Sequence, residues 1–99
     1  MFAGRFSKEA IKDLNEIWLY TFNTWSREQA DRYYQLLTDE CNYVARHPDS
    51  GKSMEHIKKS YRASRVKSHI IFYKIAKDNV VEIIRILHQQ MDIESRLSK

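Results

Sequence analysis

The sequence predicts an α+β fold in which a two-helix antiparallel hairpin packs on a small antiparallel-rich sheet, in the order β-α-α-β-β-β, followed by a short C-terminal helix. Three observations carry this. Two stretches of the first half repeat apolar residues at three-and-four spacing, the mark of a one-sided helix. Two runs of the second half, Ser68 to Ile75 and Val80 to His88, are rich in β-branched and aromatic residues and are separated only by Ala76-Lys77-Asp78-Asn79, which reads as a β-hairpin. Finally, 99 residues suffice for one core and not for two, so residues 1–99 are expected to form a single domain.

Each element follows from local chemistry. Phe2 to Phe6 is too short for a helix and is expected to open the sheet as a strand. Ser7 can cap a helix whose stripe runs Ala10, Leu14, Ile17, Trp18, Thr21 and Trp25, with Asp13 and Glu16 facing water. Ser26-Arg27-Glu28-Gln29 has capping-box form, and Ala30, Tyr33, Tyr34, Leu37, Cys41 and Val44 continue the spacing. This second helix ends near His47-Pro48, because proline disfavours helix for the residue before it. Asp49 to Ser53 reads as a polar loop, Tyr61 to Val66 as a strand feeding the hairpin, and Asp92 to Leu97 as a short terminal helix. In the hairpin gap, Asp and Asn tolerate turn geometry.

Composition narrows the function classes. Apolar residues at 42% and charged residues at 30% are ordinary for a soluble globular protein. No run approaches the roughly 18 to 20 apolar residues of a membrane span, and Met1 to Arg5 lacks the apolar stretch of a secretory signal, so a cytoplasmic location and no membrane partner are expected. A single cysteine, Cys41, agrees with that, since it has no partner for an internal disulfide. Charge is uneven. Residues 1–50 hold 6 Lys and Arg against 8 Asp and Glu, whereas residues 51–99 hold 11 against 5. Lys52, Lys58, Lys59, Arg62, Arg65 and Lys67 face one nearby acid, Glu55, and form either a patch for an anionic partner or a solvated, lysine-guarded edge.

Few residues suggest chemistry. The spacing of His47, His56, His69 and His88 matches no familiar ligand pattern, so neither metal nor cofactor is expected. Gly51-Lys52-Ser53 resembles the end of a phosphate-binding loop, yet Arg46 stands where the earlier glycine belongs and no strand precedes it. Cys41, between Leu37 and Val44 on the helix stripe, reads as a small buried hydrophobe rather than a nucleophile. Metal-free RNA cleavage needs a base, an acid and cations for the phosphate. His69, His88, Arg62, Arg65, Arg85 and Glu55 could supply them. Against this, His69 begins a strand, His88 ends one, and Arg85 reads as a paired charge within the sheet.

Several segments taken together carry a family likeness. Ser7 to Ala10, Asp13-Leu-Asn-Glu-Ile-Trp-Leu-Tyr20, Trp25, Gln29 to Tyr33, Pro48, Val66 to Tyr73 and Val81 to Asp92 strongly resemble the ParE branch of the RelE/ParE toxin superfamily, over nearly the whole chain. The resemblance implies the family fold, a helical hairpin against an antiparallel-rich sheet. It also implies the toxin half of a type II toxin–antitoxin module, neutralised by a cognate antitoxin that is ParD-like or related.

Within the superfamily, RelE-like and YoeB-like members cleave mRNA in the ribosome, whereas ParE-like members poison DNA gyrase. The YoeB-like nucleases carry an arginine just after the residue matching His69 and a His-Tyr pair closing the last strand. Here Ile70 occupies the first position and His88-Gln89 the second, so only His88 matches. An apolar side chain cannot stabilise a developing phosphorane, and losing one such donor costs on the order of a hundred- to a thousandfold in rate. The resemblance therefore implies a gyrase inhibitor acting by protein contact, with no catalytic residues of its own. The alternative is a ribosome-dependent nuclease using His88, Arg62, Arg65 and Arg85. Candidate contacts are Lys58, Lys59, Arg62, Arg65 and Lys67 in the basic half, with Tyr20, Phe22 and Tyr34 as surplus aromatics on the helical hairpin. Direct nucleic-acid binding is compatible with this reading and not required by it.

Overall fold

A computed structural model describes residues 2–97. β1 (Arg5–Phe6) leads into α1 (Lys8–Thr24) and α2 (Arg27–Arg46), then β2 (Lys52–Ser53), β3 (Arg62–Val66), β4 (His69–Ile75), β5 (Val81–His88) and α3 (Ile93–Leu97). The strands form one sheet in the order β1-β5-β4-β3-β2. β1 runs parallel to β5 and all other pairs are antiparallel.

The caps form where the side chains invite them. Ser7 Oγ accepts the Ala10 amide at 3.0 Å and donates to Ile84 O at 2.7 Å, fixing the start of α1 onto β5. Ser26 Oγ accepts the Gln29 amide at 3.1 Å. α2 stops at His47, and Pro48 opens a one-turn 3-10 helix over Pro48–Ser50. The β4–β5 turn closes with Asn79 in the left-handed region (φ 65) and Asp78 Oδ1 accepting the Val80 amide at 3.2 Å.

The sheet is covered on both faces. On one side α1 and α2 bury Ala10, Leu14, Leu37, Cys41 and Val44 against Ile71, Tyr73, Val81, Ile83 and Ile86. On the other, Phe72 and Leu87 are closed over by Tyr61, Ala63 and Leu97, with Met54, Ile57, Ile70 and Ile93 at the margin. The connection 54–61 and α3 are therefore lids on the second face. Cys41 is fully buried, and burial pushes its thiol up to about 12; it packs as the small hydrophobe its position predicts.

Four expectations need correction. The opening strand is confined to Arg5–Phe6. The segment 49–53 is not all loop, because Lys52 and Ser53 pair with Ala63 and Arg62 as an edge strand. Asp13 does not face water: it is 6% exposed, held by Arg85. Finally, the stripe of α1 is not buried to its end, since Trp25 is 70% exposed.

The burial of Asp13 depends on a bulge. Phe72 pairs with Arg85 and Tyr73 with Ile83, so Ile84 is an extra residue with no opposite number. A strand normally alternates faces; the extra residue brings both Arg85 and Ile86 toward the helices. Arg85 donates from Nε and NH2 to the two Asp13 oxygens at 2.9 and 3.0 Å, and the Ile86 amide donates to Oδ2 at 2.9 Å. The carboxylate thus has three donors, which offsets the cost of taking it out of water.

Candidate functional site

The distal half of the helical hairpin runs past the end of the sheet where β4 begins and β5 ends. Between them lies an open cleft of about 750 Å³. Ile17, Tyr20, Thr21 and Trp25 from α1, Tyr33 and Leu36 from α2, Ile86 from β5 and Met91 make it largely apolar. Arg32, Lys67, Glu16 and Gln29 add polar groups, and His69 and His88 lie at the strand ends. Local sequence explains the apolar wall: Ile17, Thr21 and Trp25 continue the stripe begun by Ala10 and Leu14, but the sheet that buries the first two does not reach the rest.

The strand ends hold a small ring cluster. His69 and His88 are directly paired across β4 and β5, with ring centroids 5.2 Å apart and edge-on. The Tyr33 oxygen lies 2.6 Å from His69 Nδ1 and 3.2 Å from Val66 O. A hydroxyl has one proton, so when it is donated to Val66 O the imidazole Nδ1–H donates to Tyr33. His88 Nδ1 accepts the Gln90 amide at 3.1 Å, which leaves its proton on Nε2. Burial, then the neighbouring His88, lowers His69 to about 4, and burial raises Tyr33. Both rings of that hydrogen bond are therefore neutral near pH 7.

The arginines that a nuclease would use are not gathered at this cluster. None of Arg62, Arg65 and Arg85 lines the cleft. Arg85 is bound to Asp13, so its reading as a paired charge within the sheet holds. Arg62 donates to Asp49 O at 3.1 Å and Gly51 O at 2.7 Å, beside a separate recess of about 250 Å³ that also contains Glu55. Arg65 donates to Lys67 O at 2.9 Å and to the Gln89 side chain. Ile70 packs at the margin of the second core.

The candidate contact residues divide between surfaces. Tyr20 and Lys67 line the cleft. Phe22 stacks on Trp18 with centroids 5.2 Å apart, under Arg27, away from the cleft. Tyr34 is exposed on α2 and also lies outside the cleft. Lys58 sits over the Tyr61 ring at 5.9 Å, and Lys59 is exposed on the same connection. Sequence reasoning missed Trp25, Leu36 and Met91 as cleft walls; the overlong apolar stripe of α1 was the available signal. Gly51 owes nothing to phosphate. Its amide donates to Tyr73 Oη at 3.0 Å, that hydroxyl donates to Pro48 O at 2.7 Å, and a Cβ on Gly51 would lie 2.1 Å from it. Among the described residues no three His, Cys, Asp or Glu side chains are grouped to hold a metal ion. No helix there is long and apolar enough to cross a membrane.

Comparison with known proteins agrees with this architecture. Residues 5–93 match the family described as the ParE toxin of the type II toxin–antitoxin system, parDE. Toxin ParE1 of Caulobacter vibrioides is 38% identical over 93 residues, covering 94% of this chain and 95% of that protein. Toxin ParE1 of Mycobacterium tuberculosis is 32% identical over 91 residues, covering 92% and 93%. A solved structure titled as a chromosomal ParDE toxin–antitoxin system from P. aeruginosa superposes with a TM-score of 0.76 over 89% of this chain and 96% of that one. At 16% identity it shows the shared fold. With the family match spanning nearly all of β1 to α3, this chain belongs to the ParE toxin family of type II toxin–antitoxin systems.

Proposed function

We propose that this toxin inhibits DNA gyrase by protein contact, without an active site of its own, and is neutralised by a cognate antitoxin of the ParD-like kind. The observation that supports it best is the fate of the arginines. A phosphoryl-transfer site concentrates free cationic donors where charge develops. Here Arg85 is committed to Asp13, Arg62 to two carbonyls and Arg65 to a turn and Gln89. The cleft's own arginine, Arg32, is paired with Glu28 at 3.0 Å. His69, neutral near pH 7, remains with His88, Tyr33 and the single lysine Lys67, in largely apolar surroundings.

The cleft suits a segment of partner chain better than a reacting phosphate. Exposed rings such as Trp25 and Tyr20 beside Ile17, Leu36 and Met91 offer the pockets that an amphipathic helix fills. Lys67 at the same cleft can orient an acidic residue on that helix. An antitoxin seated there would neutralise the toxin by covering or distorting its gyrase-contacting surface.

Induction of the chain in bacterial cells tests the reading. Gyrase poisoning predicts a DNA-damage response while protein synthesis continues. Prompt translation arrest with messages cut at ribosomal A sites would contradict it.

A further inference from the structure

Four charged residues line the cleft, namely Asp13, Glu16, Arg32 and Lys67. Two are paired within the chain, Asp13 with Arg85 and Arg32 with Glu28. Glu16 and Lys67 are both exposed, and neither takes part in an ion pair among the described residues. They lie toward opposite edges of the sheet. Glu16 belongs to α1, which is fastened over β5 by Ser7 and Asp13. Lys67 lies in the β3–β4 turn, where Tyr33 of α2 reaches down to Val66 O. β4 separates those two strands.

The Lys67 backbone is left-handed at φ 53, a conformation that glycine adopts freely and other residues adopt at a cost. The turn is held there by its carbonyls. Val66 O accepts from Tyr33 Oη at 3.2 Å, Lys67 O from Arg65 Nε at 2.9 Å, and Ser68 O from the Gln89 amide at 2.8 Å. Neighbours from α2, β3 and the segment after β5 thus fix a lysine at a position where glycine would be relaxed. What lysine adds there is an ammonium at the cleft.

These two charges restrict what can fill the cleft. Closing an apolar surface over a lone carboxylate or ammonium removes its water without replacement, which opposes binding. A wholly apolar helix would strand both groups. A nucleic-acid strand would satisfy Lys67 and bring its phosphates against Glu16. An amphipathic helix with an acidic and a basic residue bordering its apolar face, at separate points along it, satisfies both.

We propose that Lys67 and Glu16 are an orienting pair that fixes the direction of the antitoxin helix in the cleft, Lys67 receiving a carboxylate and Glu16 a cation of that helix. This rests on the reading of the cleft as the antitoxin's seat.

The test is calorimetric titration of the full chain with full-length cognate antitoxin. Lys67→Gln and Glu16→Gln should each weaken binding about tenfold or more, and Lys12→Gln with Glu94→Gln, outside the cleft, less than about threefold. Lys67→Gly should melt at or above the parent's temperature, because glycine relaxes the turn, while binding as weakly as Lys67→Gln. Direction is read by charge exchange. One acidic residue of the antitoxin, changed to Lys, should restore binding to Lys67→Glu by about tenfold or more, and one basic residue, changed to Glu, should do the same for Glu16→Lys. Failure of either exchange, or parent-like binding by Lys67→Gln and Glu16→Gln while Trp25→Ala binds weakly, would overturn the orienting pair and leave the cleft as the antitoxin's seat. Full antitoxin binding by Trp25→Ala would overturn that reading and the proposal with it. If the same variant also dissociates a toxin dimer in sedimentation, a second copy of the chain occupies the cleft instead.

Discussion

Asp13 and Arg85, 72 residues apart, are locked together by two parallel hydrogen bonds of 2.9 and 3.0 Å, and the same carboxylate accepts the Ile86 amide. With the Ser7 contacts at the start of the helix, this pair ties α1 to the strand that ends at His88, beneath the part of the helical hairpin that overhangs the sheet. The cleft is a consequence of that overhang.

Removing the carboxylate leaves a part-buried guanidinium and a buried amide without partners. Asp13→Ala should therefore cost about 3 kcal/mol or more in urea unfolding. Because most of that cost is the stranded charge, adding Arg85→Met should recover part of it. Equal losses in the single and double variants would contradict the account.

Gly51 is required by a close approach. Its Cβ would meet the Tyr73 hydroxyl at 2.1 Å and Ala63 O at 2.9 Å. Gly51→Ala should destabilise by about 2 kcal/mol or more, and Tyr73→Phe by about 1 to 2 for its two lost hydrogen bonds. In the Tyr73→Phe background the alanine should cost less, since the nearest clashing atom is gone; a thermodynamic cycle reads that coupling.

His69 makes stability depend on pH. Its folded value, about 4, lies below the ordinary 6.5, so the unfolded chain binds the proton more readily. The contribution is complete above the ordinary value and is lost as pH falls from about 6.5 toward 4. The ring is only partly buried, so solvent screening limits the loss to about 1 kcal/mol between pH 7.5 and 5. His69→Gln should flatten the urea midpoint across that window, and an unchanged slope would refute the assignment.

The cleft and the outer face of the helical hairpin should behave differently toward the antitoxin. Trp25 and Tyr20 are 70% and 68% exposed, so Trp25→Ala and Tyr20→Ala should leave the fold intact while weakening antitoxin binding about tenfold or more each. Phe22→Ala and Tyr34→Ala, outside the cleft, should change it less than about threefold. Calorimetric titration with the antitoxin distinguishes the two sets.

The helices and the β4–β5 hairpin were legible because their cause is local: apolar spacing, Ser7 and Ser26 as caps, and Asp78-Asn79 at the turn. β2 was not, because Lys52 and Ser53 are both exposed and their pairing is dictated by Arg62 and Ala63, ten residues on. Asp13 misled because helix spacing describes only which side a residue faces; the partner that allows a carboxylate on the buried side comes from a distant strand. The bulge at Ile84 is equally silent, since apolar residues on both sides of it satisfy either register. The walls of the cleft were visible as an apolar stripe, yet nothing in that stripe marks where the sheet beneath it ends.

The central claim is that the toxin acts on gyrase through contact rather than chemistry of its own. Purified chain, added to gyrase with ATP and relaxed plasmid, should block supercoiling and accumulate cleaved DNA, and should do so equally with His88→Ala. Full supercoiling activity at saturating toxin, with no increase in cleaved DNA, would contradict it.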